Sequence, residues 1–316
     1  MGRFRMWGSA FAVVFVLAGC TGVPDRESEA LQIRDRVAAM PGVSDVDLIY
    51  ENGILEGTRF ELRVNVKGAT DEQIGAVATG IHTARGDDFA EHDQRIEFDI
   101  ADGVSLGFGA SIQDDPGAVA ARLRELDSRI TAQSIDLLGA ADGSTRIDIR
   151  AAAATAAVVD AVLQVFASNP LDQIEVNRPS GPGGEASWWI RTRLSPEQKS
   201  RIDAQLAAAV PAAPRLVIVR DGVIERLNVA IPAPETAYDD IVRVIDALGA
   251  GPRHRVHLGW SWASDPARYG DLRWSGSVDI GNCDDPNANT GSDPDLLPEA
   301  RKLQQRIRDE FGPCPK

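Results

Sequence analysis

The chain has 316 residues, with 47 acidic against 33 basic side chains and a net charge of −14. Such acidity excludes a phosphate-binding groove for nucleic acid and a polybasic face for anionic lipid heads. The length calls for two or three compact units, and 43% apolar residues suffice to give each a core.

The first element is an export signal. Met1 to Arg5 carries two arginines and no acid, and Met6 to Val16 is an apolar run too short to span a bilayer. Leu17-Ala18-Gly19-Cys20 then has the form of a bacterial lipobox. It implies removal of residues 1–19 as a lipoprotein signal peptide and acylation of the Cys20 thiol. The alternative is an ordinary secretory signal with an incidental cysteine. Acylation makes residues 20–27 a lipidated tether holding a soluble body at the extracytoplasmic face of a membrane.

Three similar units are expected to follow. In the first, residues 28–101, Ala30, Ile33, Val37 and Met40 form a helical stripe, and Val46, Leu48 and Tyr50 alternate as a strand. Asn52-Gly53 turns the chain into a second strand through Phe60, Leu62, Val64 and Val66. A helix through Ile74, Val77, Ala78 and Ile81 and a strand through Ile96, Phe98 and Ile100 complete it. The second unit, residues 102–178, repeats this order around Asp142-Gly143. After a Pro/Gly-rich linker at 179–186, the third, residues 187–275, repeats it around Asp221-Gly222. Extra strands at 104–112 and 188–194 precede units two and three. The fold class predicted is therefore α+β, with three tandem helix-strand-strand-helix-strand, ferredoxin-like units. Residues 276–316 form a closing segment whose helix carries the stripe Ala300, Leu303, Ile307 and Phe311. Once Cys20 is acylated, Cys283 and Cys314 remain as an even pair in an oxidising compartment, so a disulfide is expected. Its loop is worth about 3 to 4 kcal/mol in the chain-entropy model.

The unit order, the hairpin glycines Gly53, Gly143 and Gly222, the span Arg122 to Asn177, and Val66-Lys67-Gly68 resemble BON domains, small bacterial modules of envelope proteins. The resemblance implies a role at phospholipid surfaces and in envelope integrity.

Candidate sites are few. Trp189 alternates onto the face opposite Trp188 and Ile190, together with Arg191 and Arg193. An indole between guanidiniums can bind a sugar, a cell-wall fragment or a protein, or can be covered by a neighbouring unit. Asp285, Asn287, Asn289 and Asp293 alternate as in a calcium loop, although an EF-hand would need glycine at Thr290 and glutamate at Leu296. A solvated turn-rich loop is the other reading there. His254 and His257 point to opposite faces of a strand, and His82 and His92 stand apart as surface side chains. Gly259-Trp260-Ser261-Trp262-Ala263 lacks the last glycine of a nucleophile elbow. Ser195, Pro196 and Gln198 read as a helix start. No catalytic set assembles and no cofactor is implied beyond that calcium loop. The expectation is a non-catalytic binding or scaffold protein of the cell envelope, with a cell-wall glycan- or lipid-binding module as the alternative.

Overall fold

The computed structural model describes residues 22–53, 57–109, 114–140, 142–179, 185–262, 271–282 and 295–312. Elements follow one another as helix, strand, strand. The first pass is α1 (Glu27–Ala38), β1 (Asp45–Gly53) and β2 (Gly57–Asn65), and the second α2 (Asp71–Arg85), β3 (Asp93–Ala101) and β4 (Val104–Phe108). Next come α3 (Pro116–Arg129), β5 (Ser134–Gly139) and β6 (Thr145–Arg150), then α4 (Thr155–Val165), β7 (Gln173–Val176) and β8 (Ser187–Ile190). The last passes are α5 (Pro196–Ala208), β9 (Ala213–Arg220) and β10 (Val223–Ile231), and α6 (Ala237–Leu248), β11 (Val256–Trp262) and β12 (Asp271–Ile280), followed by α7 (Pro298–Phe311).

Local chemistry accounts for these elements. Thr70 and Gln73 form a reciprocal capping box at the start of α2 (2.8 and 3.3 Å). Ser195 and Gln198 do the same for α5, with Pro196 in its first turn, as the sequence predicts. Asp221 and Gly222 both take positive φ, 52° and 73°, which suits the two-residue turn between β9 and β10.

The expectation of three separate ferredoxin-like units is overturned. The described strands form a single twelve-stranded sheet in which spatial order equals chain order. A ferredoxin-like unit needs a strand that returns between its neighbours, and no strand here does so. Instead β3 pairs antiparallel with β4 (Ile96 opposite Phe108), and β4 pairs parallel with β5 (Leu106 opposite Leu137). The sheet therefore runs through the expected boundary. It does so again where β7, β8 and β9 pair in sequence, with Val176 opposite Trp188 and Trp188 opposite Val217. The stretch around 179–186 joins two antiparallel strands. The true repeat is helix-strand-strand: helices α1 to α6 begin at residues 27, 71, 116, 155, 196 and 237, intervals of 39 to 45 residues. Gly53, Gly143 and Gly222 mark alternate hairpins only. Asp102-Gly103, with Gly103 at φ 73°, turns β3 into β4 between the first two.

Eleven strand-to-strand spacings of about 4.8 Å make the sheet about 50 Å wide. Each helix from α1 to α6 touches the next, and α7 joins the layer where the Arg306 guanidinium lies 3.3 Å from the Tyr238 ring centroid. Alternate residues of the strands face these helices in one continuous apolar core, among them Phe60, Phe98, Ile147, Trp188, Val217, Leu258 and Val278. The other residues of each strand form a face that no helix covers among the described residues. One edge, β1, carries Asp45, Asp47 and Glu51, charges that discourage strand addition. At the other edge α7 satisfies the outer backbone of β12. The Ser277 N–H donates to Gln304 Oε1 (2.8 Å), and Arg308 Nε donates to the Ser277 carbonyl (3.0 Å).

His92, expected on the surface, is 6% exposed beside the rings of Tyr50 and Phe89 (centroids 5.5 and 5.4 Å away). Neither ring nitrogen has a hydrogen-bond partner among the described residues. Burial lowers its pKa below the ordinary 6.5; Arg26 lowers it further, and the nearby Glu91 and Asp25 oppose the shift. The unfolded chain therefore takes up this proton at a higher pH than the folded one. Stability from this group is complete above about pH 6.5 and falls as pH drops through that value toward the folded pKa. Between pH 7 and 5, unfolding free energies should fall more for the native protein than for His92→Phe. Equal pH slopes would remove His92 as the cause.

Candidate functional site

The uncovered face of the sheet has two halves of different electrostatic character. Over β2 to β7 its charges neutralise one another. Arg59 pairs with Glu61, and Arg63 and Arg95 grip Glu97 from two strands (3.0 and 2.9 Å). Further along, Arg150 reaches Asp136 (3.2 Å), Ser105 donates to Asp136 (2.8 Å), and Arg146 lies between Asp148 and Glu175 (3.7 and 3.8 Å). The arginine stems cover their partners, so Glu61 and Glu97 are each only 6% exposed despite facing away from the helices.

Over β8 to β12 the pattern changes to a cleft of about 430 Å³. Trp189 forms one wall, and its indole N–H donates to Asn177 Oδ1 (3.2 Å). The neighbouring Ile218 is 3% exposed yet lies outside the main core, so the cleft has an apolar floor. Arg191, Arg226 and Arg255 line it, together with Glu225, His257, Asp279 and Asn282. Glu225 is drawn toward Arg220 (3.5 Å), and His257 Nδ1 donates to Asp279 Oδ1 across β11 and β12 (2.7 Å). Arg191 and Arg226 are exposed and have no carboxylate partner among the described residues.

A β-bulge aims Arg226 into this site. Ile224 pairs with Val219 and Arg226 with Ile218, leaving Glu225 as the extra residue. Without it, Ile224 and Arg226 would share a face. With it, Ile224 enters the core and Arg226 points outward beside Ile218.

Of the residues the sequence singles out, Trp189 and Arg191 come together here. Arg193 goes elsewhere, because β8 ends at Ile190 and strand alternation does not extend to it. Arg193 pairs with Asp172 (3.0 Å) and lines a groove between α4 and α5 with Phe166, Leu171 and Leu194. Trp188 and Trp260 are buried, as their alternation predicts. His254 hydrogen-bonds the carbonyls of Leu248 and Ile224 (3.0 and 3.2 Å). Cys20, Cys283, Cys314 and the loop residues Asp285, Asn287, Asn289 and Asp293 lie outside the described residues. Among the described residues no three His, Cys, Asp or Glu groups converge as a metal site, and no helix is long and apolar enough to cross a membrane.

Sequence reasoning did not find Arg226, His257 and Asp279 as one constellation. The bulge has no sequence signal of its own, and β12 was not expected. Among the described residues the lining of the cleft holds a His–Asp pair and no serine, threonine or cysteine. That arrangement can hold an anion and hydroxyl groups. Compared with protein-family models, with curated proteins and with solved structures, the chain matches none.

Proposed function

We propose that this protein is a lipid-anchored, extracytoplasmic envelope protein that binds or scaffolds a partner without catalysis, through the uncovered face of its sheet. The observation carrying this reading is that face itself: among the described residues it is twelve strands wide, free of helices, and lined by arginines and Trp189 at one end. A sheet covered on one side by helices needs nothing on the other for stability when that side is polar. Exposed arginines with no acid partner among the described residues favour contact with something outside the fold. The basic start, apolar run and Cys20 support the anchor. A cell-wall glycan as the bound partner is the second reading, favoured by Trp189 standing half-exposed beside Arg191.

The test is in-cell photo-crosslinking from Ile49 and Leu138 on the uncovered face, with Gln32 on α1 as the control on the helix layer. One envelope protein captured from the face positions and not from Gln32 is the expected result. Capture from Gln32 alone, or from none of them, would overturn the face as a protein-contact surface and with it the scaffold reading. Cys20→Ala should move the protein from the membrane fraction to the soluble one, and retention at the membrane would dismiss the anchor.

A further inference from the structure

We infer that the cleft over β8 to β12 is a subsite for a carboxylated sugar ring, so that the uncovered face recognises an acidic glycan. This deepens the reading of that face as a binding surface and rests on it.

The two halves of this one face differ in how their arginines are used. Over β2 to β7 the arginines are bound to carboxylates of the chain itself. In the cleft Arg191 and Arg226 have no carboxylate partner among the described residues, although the whole chain carries a net charge of −14. Two guanidiniums that line one cleft and have no acid partner among the described residues give a ready seat for a carboxylate, the anion whose geometry a guanidinium matches. A local cationic cleft on an acidic protein also focuses its field on that spot.

The anion alone does not explain Trp189. Its N–H is committed to Asn177, which fixes the ring and leaves its face as the surface on offer. An indole face next to an apolar floor at Ile218 suits the C–H side of a pyranose ring. Asn282 and the His257–Asp279 pair supply donors and acceptors for ring hydroxyls on the opposite side. The cleft volume of about 430 Å³ lies in the range of small-ligand sites. Free phosphate would use the arginines and leave the indole idle. An acidic peptide would use the arginines without needing the ring-sized cleft.

The experiment is titration calorimetry of the full chain in detergent with a galacturonic acid hexamer. Its fully methyl-esterified form and poly-glutamate serve as comparison probes. The expected result is binding of the hexamer at least tenfold tighter than of the neutral ester, weakening as salt is raised. The exposed double variant Arg191→Gln/Arg226→Gln should lose at least tenfold in affinity, and so should Trp189→Ala. Lys67→Gln, on β2's side of the molecule, should leave binding unchanged. Equal binding of the neutral ester, or no effect of the arginine pair, would overturn the proposal. Poly-glutamate bound as tightly as the hexamer would reassign the cleft to an acidic peptide. If crosslinking captures a protein from the face while the hexamer does not bind, the sugar assignment alone falls. If the hexamer binds and crosslinking captures no protein, the scaffold reading alone falls.

Discussion

Truncation of Lys199 to alanine should destabilise the protein by about 3 kcal/mol, near the lower middle of the range for emptying a large buried site. Lys199 is 2% exposed at the junction of α4, α5 and β8. Its Nζ lies 2.8 Å from both carboxylate oxygens of Asp203, 3.3 Å from Asp160 on α4 and 4.7 Å from the centroid of the Trp188 ring. The two carboxylates remain about half exposed, so water screens much of their attraction, and the ion pairs contribute little by themselves. The larger losses are the methylene stem packed between helices and the cation over the indole, the latter worth about 2 kcal/mol where desolvated. Lys199→Met separates these terms. It keeps the stem and removes the charge, and should cost about 2 kcal/mol, the further loss of about 1 kcal/mol in the alanine variant being packing. Denaturant unfolding of both variants provides the check. Equal losses would mean that the charge carries the effect. An alanine variant within about 0.5 kcal/mol of native would show that this junction is held elsewhere.

Gly276→Ala should cost about 2 to 3 kcal/mol, the upper part of the range for overpacking a filled core. A Cβ at this position would stand 2.4 Å from Cζ2 and 2.6 Å from Cε2 of Trp260, its partner across β11 and β12. The Trp260 ring is 3% exposed, and Trp262 and Trp274 pack edge to face beside it with centroids 6.4 Å apart. A rigid, enclosed ring cannot swing away as the end of a flexible chain would, so β12 must shift instead. His257 and Asp279 pair along the same two strands, and a displaced β12 should loosen that contact at the cleft. Calorimetric unfolding and near-ultraviolet circular dichroism test this, with Trp260→Phe in the same chain expected to restore part of the loss. A neutral Gly276→Ala would show that the tryptophan cluster has spare room.

The stripes Ala30-Ile33-Val37 and Ile74-Val77-Ala78-Ile81 are helical and buried, and the alternation of Phe60, Leu62 and Val64 marks a strand with one covered face. Those features are legible because helix and strand periods, caps and turn dihedrals are set by residues a few places apart. The α7 stripe reads equally well: Ala300 and Ile307 enter the core while Leu303 and Phe311 pack against it. Arg193 shows the limit of such reasoning, since alternation continued on paper past the point where β8 stops.

Residue types, local periods and turn glycines thus determined which segments form helices and strands, which side of each is apolar, and the net negative charge of the chain. Tertiary structure alone decided that the strands join edge to edge in one sheet, and that Trp189, Arg191, Arg226 and the His257–Asp279 pair share a cleft. The reason is physical. Strand pairing is made by backbone groups that every residue carries, so a strand's sequence announces its buried face but not its neighbour. The cleft exists only because the five strands β8 to β12, spread over residues 187–280, lie side by side in the sheet.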